Sequence, residues 1–221
     1  MVLRGQRQRR EGETAMSGHT LGWREWFPGL ENDHETLGSV LETLPAAPPS
    51  AIPWIVRLLE NPTGWFCLHG AVDLAVHDRI HVLLGRGLLA QDEAFVIGFT
   101  MGSTRAVLCL EQLVFKFSVA YLYPDPYRIP WSILAAYDLG LEAGQRLGIK
   151  NVHCAITDDM LSWKLGMVRS VLGIDTARLR EFYEREQAML PSTAASQRLL
   201  SARCFRQSAS GVRGGNHMTT N

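Results

Sequence analysis

The stretch "HDRIHVLLGRGLLAQDE", residues 77–93, decides how the chain is interpreted. Its apolar run "IHVLL" leads into "GRGLL", and "AQDE" follows. This order predicts a helix that ends at Gly85, a short reversal, and a second helix that opens near Ala90. Two histidines and two carboxylates lie in this otherwise apolar hairpin. Either these polar groups satisfy one another inside the protein, or they bind something.

Helical patterns continue on both sides of the hairpin. "SAIPWIVRLLEN" (50–61) precedes it, and four more segments follow: "LCLEQLVFKFSVAYLYP" (108–124), "PWSILAAYDLGLEAGQRLG" (130–148), "DMLSWKLGMVRSVLG" (159–173) and "TARLREFYEREQAML" (176–190). Proline near the start of a segment and glycine at its end are typical of helix boundaries. Period-two alternation between hairpin turns is missing from the sequence. We therefore expect an all-α, compact multi-helix domain of about six to eight helices.

The two ends of the chain differ in composition from its middle. Residues 1–30 are rich in arginine, and residues 191–221 are rich in serine, glycine and threonine. Such segments predict a mostly disordered N-terminal tail and a flexible C-terminal tail around a helical domain at 31–190. An organellar transit sequence is the alternative for the N-terminus, although Glu11 and Glu13 are atypical of one.

Charge and cysteine usage exclude several classes of protein. The chain has 221 residues with 22 basic and 22 acidic side chains, so no global field attracts it to nucleic acid. Its four cysteines form no CxxC pair, which favours free thiols. Charged residues interrupt the most apolar region, so no transmembrane helix is expected.

Glycine recurs at a helical spacing in two segments, at Gly98 and Gly102 and at Gly140, Gly144 and Gly148. Small residues four apart let two helices approach closely. Tight helix packing is the simpler interpretation, and room for a slender chain-like ligand is the other.

The polar residues of the hairpin fall on one side of the first helix. At about 100° per residue, His77 and His81 lie about 40° apart, and Asp78 completes an arc of about 100°. Arg86 projects to the opposite side. Glu93 lies about one turn after the reversal, and His81 lies about one turn before it, so their side chains can meet.

Two imidazoles and two carboxylates suit a divalent metal ion such as zinc, iron or manganese, with magnesium a further possibility. Asp73 could accept a hydrogen bond from a ligating histidine. A buried hydrogen-bond network without metal is the alternative. A second polar group, His153 with Asp158 and Asp159, is better explained by an aspartate that caps the following helix.

The motif H-D-x-x-H, eleven residues, E is satisfied by His77, Asp78, His81 and Glu93. It resembles the signature of the coenzyme Q (ubiquinone) biosynthesis protein number four family. "HVLLG", "YPDPYRIP", "AYDLGLEAG" and "LGMVRSVLGID" are similar to that family in the same order, over residues 50 to 175.

This resemblance implies a metal held by those four residues, which would also be the catalytic residues. It further implies a polyprenylated quinone precursor or another isoprenoid lipid as ligand, a homodimer, and contact with other quinone-biosynthesis enzymes at a membrane surface. That surface would be the cytoplasmic face of the inner membrane in a bacterium, or the matrix side of the mitochondrial inner membrane. The family is linked to oxidative decarboxylation of the head-group ring and also to non-catalytic scaffolding, and both stay open here.

Tryptophan favours membrane interfaces, and Trp131 and Trp163 are candidates for such a position. A polyprenyl tail also requires an apolar groove. The candidates to line the groove are Phe95, Phe99, Met101, Phe115, Phe117, Tyr121 and Tyr137.

Two other metalloenzyme classes fit less well. Phosphohydrolases with a His-Asp pair need further ligands, and His69 is badly spaced for that role. A ferritin-like oxidase needs two Glu-x-x-His motifs.

Overall fold

The structure, a computed structural model, describes residues 22, 24–45, 72–122 and 129–199, and the predicted helix at 50–61 lies outside them. Within these ranges the protein is all-α, with nine helices and no β-strand, and six of the helices have seven residues or more. The prediction of a compact all-α fold is confirmed. The longer helices include α2 (Leu74–Leu84), α3 (Ala90–Thr104), α4 (Cys109–Phe117), α5 (Ala135–Arg146) and α8 (Thr176–Met189).

Shorter elements complete the chain. They are α1 (Leu37–Leu41), a π-helical turn (Ser118–Leu122), a 3-10 turn (Trp131–Ile133), α6 (Val152–Ala155), a 3-10 turn (Asp158–Ser162) and α7 (Leu165–Val171). Residues 194–199 are also helical, and we name them the C-terminal turn. None of the described helices combines the length and the apolarity that crossing a membrane requires.

The packed domain extends beyond both of its predicted boundaries. Trp26 is 2% exposed, and its indole Nε1–H donates to Thr43 Oγ1 at 3.0 Å, so the segment before residue 31 belongs to the core. At the other end, Ala195, Ser196 and Leu199 of the C-terminal turn are buried. In both segments a few buried side chains anchor an otherwise polar stretch of chain to the core.

The reversal between α2 and α3 follows the sequence prediction. The Asp73 carboxylate caps α2 by accepting the Val76 N–H at 2.9 Å, and α2 ends at Gly85 in the left-handed conformation, with φ of 64°. The Asp92 carboxylate then accepts the Leu89 N–H at 3.2 Å, where α3 begins.

Helices α3 and α5 touch through their backbones. A Cβ on Gly98 or Gly102 would overlap a carbonyl oxygen of α5, and one on Gly140 or Gly144 would overlap a carbonyl oxygen of α3. The interpretation of this glycine spacing as tight packing is confirmed. Gly148 is an exception, because it follows α5 with φ of 76° and serves the turn.

Arg169 of α7 closes the C-terminus of α2. Its guanidinium donates to the carbonyl oxygens of Leu83 at 2.9 Å and Val82 at 3.2 Å, and it pairs with Asp33 at 2.5 Å. The Tyr183 hydroxyl donates to the next carbonyl, that of Leu84. The carbonyls of Leu83 and Leu84 lie in the last turn of α2 and have no helical partner, so these side-chain bonds fix the end of α2 against α7 and α8.

Arg86 is completely buried, although the helical projection places it opposite the histidines. Gly85 ends the helix, so the projection does not extend to residue 86. The guanidinium lies between the rings of Phe95 and Tyr183, 4.4 and 4.7 Å from their centroids. It donates to both carboxylate oxygens of Glu186, at 2.7 and 2.8 Å. Burial alone would lower the pKa of Arg86, but the negative charges of Glu186 and Asp92 raise it.

We predict that Gly144→Ala lowers the free energy of unfolding by at least about 2 kcal/mol, because its Cβ meets backbone that cannot rotate away. Urea unfolding followed by circular dichroism measures the change. Gly22→Ala is the control, because nothing lies within 4 Å of a Cβ there. Equal stability of the two variants would contradict the close contact of α3 and α5.

We predict that Glu186→Gln destabilises the protein by roughly 3 kcal/mol, since it removes the main counter-charge of a buried guanidinium. The matched control is Glu142→Gln. Glu142 also pairs with an arginine, Arg185, but at an exposed site, so its loss should cost about 1 kcal/mol or less. Thermal and urea unfolding of both variants would decide, and equal losses would refute the asymmetry.

Candidate metal site

Three potential ligands meet beside the reversal. His77 and His81 lie one turn apart on α2, and Glu93 lies in the first turn of α3. The two imidazole Nε2 atoms are 3.0 Å apart. Glu93 Oε2 lies 3.0 Å from His77 Nε2, and Glu93 Oε1 lies 3.3 Å from His81 Nε2. Among the described residues, these form the one group of three or more His, Cys, Asp or Glu side chains close enough to share a metal ion.

A backbone carbonyl orients His81. Its Nδ1 lies 2.8 Å from the carbonyl oxygen of Gly87, which accepts but cannot donate, so Nδ1 carries a proton. In the neutral imidazole, Nε2 then presents its lone pair to the cluster. Metal-binding histidines are commonly held in this way by an acceptor on the far ring nitrogen.

While Glu93 is ionised, no placement of protons on the two Nε2 atoms makes all three contacts among His77, His81 and Glu93 attractive. A neutral His81 faces a carboxylate oxygen at 3.3 Å with lone pairs on both atoms. Even with both Nε2 atoms protonated, the contact between the two histidines joins two N–H groups. A cation between the three donors makes every contact attractive. When Glu93 is ionised, the metal-free alternative, a protonated hydrogen-bond network, leaves at least one of the three contacts repulsive.

The cluster is buried on one side and open on the other. His81 is completely buried, whereas the side chains of His77 and Glu93 are 14% and 31% exposed. Burial would raise the pKa of Glu93, but the charge of His81 and the hydrogen bonds with both imidazoles lower it well below its usual range. Glu93 is therefore a carboxylate at neutral pH, on the side that a ligand from solvent could reach.

Asp78, the fourth predicted ligand, is not part of this group of three. One position along a helix turns a side chain by about 100°, which moves the short Asp78 carboxylate to the flank of the cluster. It stays close enough to interact electrostatically with all three residues. Burial raises its pKa, and the two histidines oppose that rise. Asp73 caps α2, as described above.

Two further groups of predicted residues are placed as follows. Asp158 or Asp159 was expected to cap the helix that follows. Both lie within the 3-10 turn Asp158–Ser162, and Asp158 forms an ion pair with Arg79 of α2 at 2.6 Å. His153 is half-buried, and burial lowers its pKa. Trp163 packs partly buried against the core, whereas Trp131 is exposed.

The seven predicted lipid-lining residues divide into two sets. Five of them are buried in the core: Phe95, Phe99, Met101, Phe115 and Tyr137. They contact one another, as in the stacking of Phe115 on Tyr137 with ring centroids 4.8 Å apart, so a lipid could reach them only if the core opened. Phe117 and Tyr121 are more than half exposed, because they lie on the outer face of α4 and the π-helical turn.

The sequence analysis did not identify two groups close to the ligands, the Gly87 carbonyl and the Arg198 guanidinium. The carbonyl of Gly87 carries no side-chain signal, and Arg198 lies in a segment predicted to be flexible. Gly87, the second glycine of "GRG", was the one residue in the sequence that could have indicated a close contact here. A Cβ on Gly87 would lie 2.6 Å from the carbonyl oxygen of Trp26 and 2.7 Å from Arg198 Nη1, so only glycine fits there.

Comparison of the chain with models of known protein families, with curated protein sequences and with solved structures found no match.

We predict that the His81 imidazole carries its proton on Nδ1 and that this proton exchanges slowly, since it is buried in a hydrogen bond to Gly87. Long-range ¹⁵N–¹H correlation spectra of the histidine side chains would show this. His153 is the control, because its buried Nδ1 has no hydrogen-bond partner within the part of the chain that the structure describes. An unprotonated Nδ1 in neutral His81 would contradict the orientation of the ring.

Proposed function

We propose that the chain binds a divalent metal ion through His77, His81 and Glu93. The observation that carries the proposal is the convergence of two imidazoles and one carboxylate. The two Nε2 atoms lie 3.0 Å apart, and each lies 3.0–3.3 Å from one of the two oxygens of Glu93. Zinc and similar ions hold imidazole nitrogen at about 2.0–2.1 Å, so neighbouring ligands around one ion lie roughly 3.0–3.4 Å apart. The partly exposed side of the cluster would leave coordination positions for water or a substrate.

The ligand set favours a catalytic over a purely structural metal. Structural zinc sites usually have four protein ligands, whereas two histidines and one carboxylate with open positions are typical of non-haem iron oxygenases and of catalytic zinc sites. Bound iron would supply redox chemistry, and bound zinc would polarise or orient a substrate. Manganese and magnesium are the further candidates. Asp78, on the flank of the cluster, is placed to take or give a proton near a bound head group.

We infer a role in coenzyme Q (ubiquinone) biosynthesis, with a polyprenylated hydroxybenzoate as substrate. The spacing of His77, His81 and Glu93 that produces the cluster is also the core of the motif that resembles that family. The reaction would be oxidative decarboxylation, in which the ring carbon loses its carboxylate as CO₂ and gains a hydroxyl group. With water as the source of that hydroxyl, dioxygen would accept the two electrons and leave as hydrogen peroxide.

We predict about one metal ion per chain in protein purified without chelators, measured by plasma mass spectrometry. His81→Ala and Glu93→Gln should each lose most of it, because each removes one of three ligands. The controls are His153→Ala and Glu142→Gln, which change the same residue types outside the cluster. Asp78→Asn should retain the metal, which separates a three-ligand site from a four-ligand one. Wild-type protein that stays metal-free after reconstitution would refute the proposal.

The identity of the metal then decides the assay of function. If iron is bound, release of CO₂ from a carboxyl-labelled prenylated hydroxybenzoate should require dioxygen and should fall with the metal content of the variants. If zinc is bound and no CO₂ is released, the metal site stands and the decarboxylase assignment does not.

A second candidate function, a non-catalytic lipid-binding scaffold at a membrane, is favoured by one observation. The outer side of α4 and the adjoining turns exposes large apolar side chains: Leu108, Leu110, Leu113, Val114, Phe117, Tyr121 and Trp131. Phe117 contacts Tyr121, with ring centroids 5.0 Å apart, and Tyr121 lies 6.3 Å from Trp131. An amphipathic helix with aromatic residues at one edge is typical of proteins that lie in a membrane interface.

We predict that Leu113→Glu weakens binding to phospholipid vesicles roughly tenfold, because it places a charge in the apolar face that would enter the interface. Vesicle co-sedimentation measures the binding. Met189→Glu is the control, since Met189 is similarly exposed at the end of α8. Equal binding by both variants, or no binding by the wild type, would remove the argument for a membrane surface.

A further inference from the structure

Arg198, in the C-terminal turn, contacts two supports of the candidate metal site, which are the segment around Gly87 and the Asp92 carboxylate. Its Nη2 donates to Asp92 Oδ2 at 2.5 Å, and its Nη1 donates to the carbonyl oxygens of Trp26 at 3.1 Å and Arg24 at 3.4 Å. The guanidinium also lies 5.1 Å from the ring centroid of Phe27. Its side chain is 20% exposed, so most of this contact is shielded from water.

The first support is the segment that orients His81. Arg198 and the backbone of residue 26 enclose Gly87 so closely that a Cβ at this position would meet both. The carbonyl of Gly87 accepts the His81 Nδ1–H. Arg198 therefore limits how far this carbonyl can move away from the imidazole.

The second support is the start of α3. Asp92 is 1% exposed, and its Oδ2 accepts both from Arg198 and from the Leu89 N–H that opens the helix. Arg86 Nε lies 3.5 Å from the other oxygen, Oδ1, outside hydrogen-bond geometry. Arg198 is thus the closest cation to Asp92, and Glu93, the carboxylate of the cluster, is the next residue.

We propose that Arg198 is a positioning residue for the metal site. It acts on His81 through Gly87 and on Glu93 through Asp92, and the C-terminal turn is therefore part of the site. This inference rests on the proposed metal site. A lysine could neutralise Asp92, but its single ammonium lacks the planar fork that reaches a carboxylate and a backbone carbonyl in different directions.

The test uses the full chain with Arg198→Lys and Arg198→Gln. Arg185→Gln is the control, because Arg185 also bonds a carboxylate, that of Glu142, at an exposed site. Co²⁺ is the probe, and its affinity is measured by competition with a chromophoric chelator. We expect affinity at least about tenfold lower for Arg198→Gln and an intermediate loss for Arg198→Lys, as for other changes to groups that orient metal ligands. The visible Co²⁺ spectrum should change as well, which a loss of stability alone would not produce.

A readout without metal keeps this inference separate from the proposed function. In metal-free protein, exchange of the His81 Nδ1 proton should be faster in both Arg198 variants than in Arg185→Gln. Unchanged exchange and unchanged Co²⁺ affinity would overturn the role of Arg198 while leaving the metal site intact. If wild-type protein binds no Co²⁺, the proposed function fails, and faster exchange would then show that Arg198 positions only the ring. Should Arg198→Gln not fold, Arg198→Lys carries the test.

Discussion

The hairpin of α2 and α3 depends on two side chains that bind the last carbonyl groups of α2. The Arg169 guanidinium donates to the carbonyl of Leu83, and the Tyr183 hydroxyl donates to that of Leu84. Without those bonds, α2 would end in two buried carbonyl oxygens that lack a helical partner, at a cost of roughly 1–3 kcal/mol for each. The Arg86 guanidinium, in the reversal, forms a buried ion pair with Glu186 of α8 and so holds the reversal against that helix. The backbone contact at Gly144 then fixes α3 against α5. These constraints leave the two helices of the hairpin little freedom to separate.

The candidate metal site is a consequence of that rigidity. A ligand set of only three side chains needs each donor held close to its final position. His81 is held by burial and by the carbonyl of Gly87, and Glu93 by the first turn of α3. His77, partly exposed, completes the group from one turn earlier on α2. The polar supports lie on the buried side, and the opposite side is partly exposed to solvent.

Much of the fold could be predicted because each helix carries its own punctuation, such as Gly85 at the end of α2. The proximity of His81 and Glu93 could be predicted, because each lies about one helical turn from the reversal between α2 and α3. Asp78, the fourth predicted ligand, lies outside the group that the structure brings together, because adjacent helix positions are turned by about 100°, and its role as a ligand stays a prediction. Arg86 and Arg169 could not be predicted as buried, because their partners come from residues distant in sequence. Phe95 was predicted to line a lipid groove, and in the structure it lies in the core. Apolar composition alone does not distinguish a residue of the core from one that lines a groove.

Anomalous X-ray diffraction from crystals of the reconstituted protein, collected on both sides of the absorption edge of the bound metal, tests the central claim most directly. We expect one strong peak within about 2–2.5 Å of His77 Nε2, His81 Nε2 and a carboxylate oxygen of Glu93, with Asp78 outside the first coordination sphere. A peak at any other place, or a fully loaded crystal with no anomalous signal between the three side chains, would contradict it.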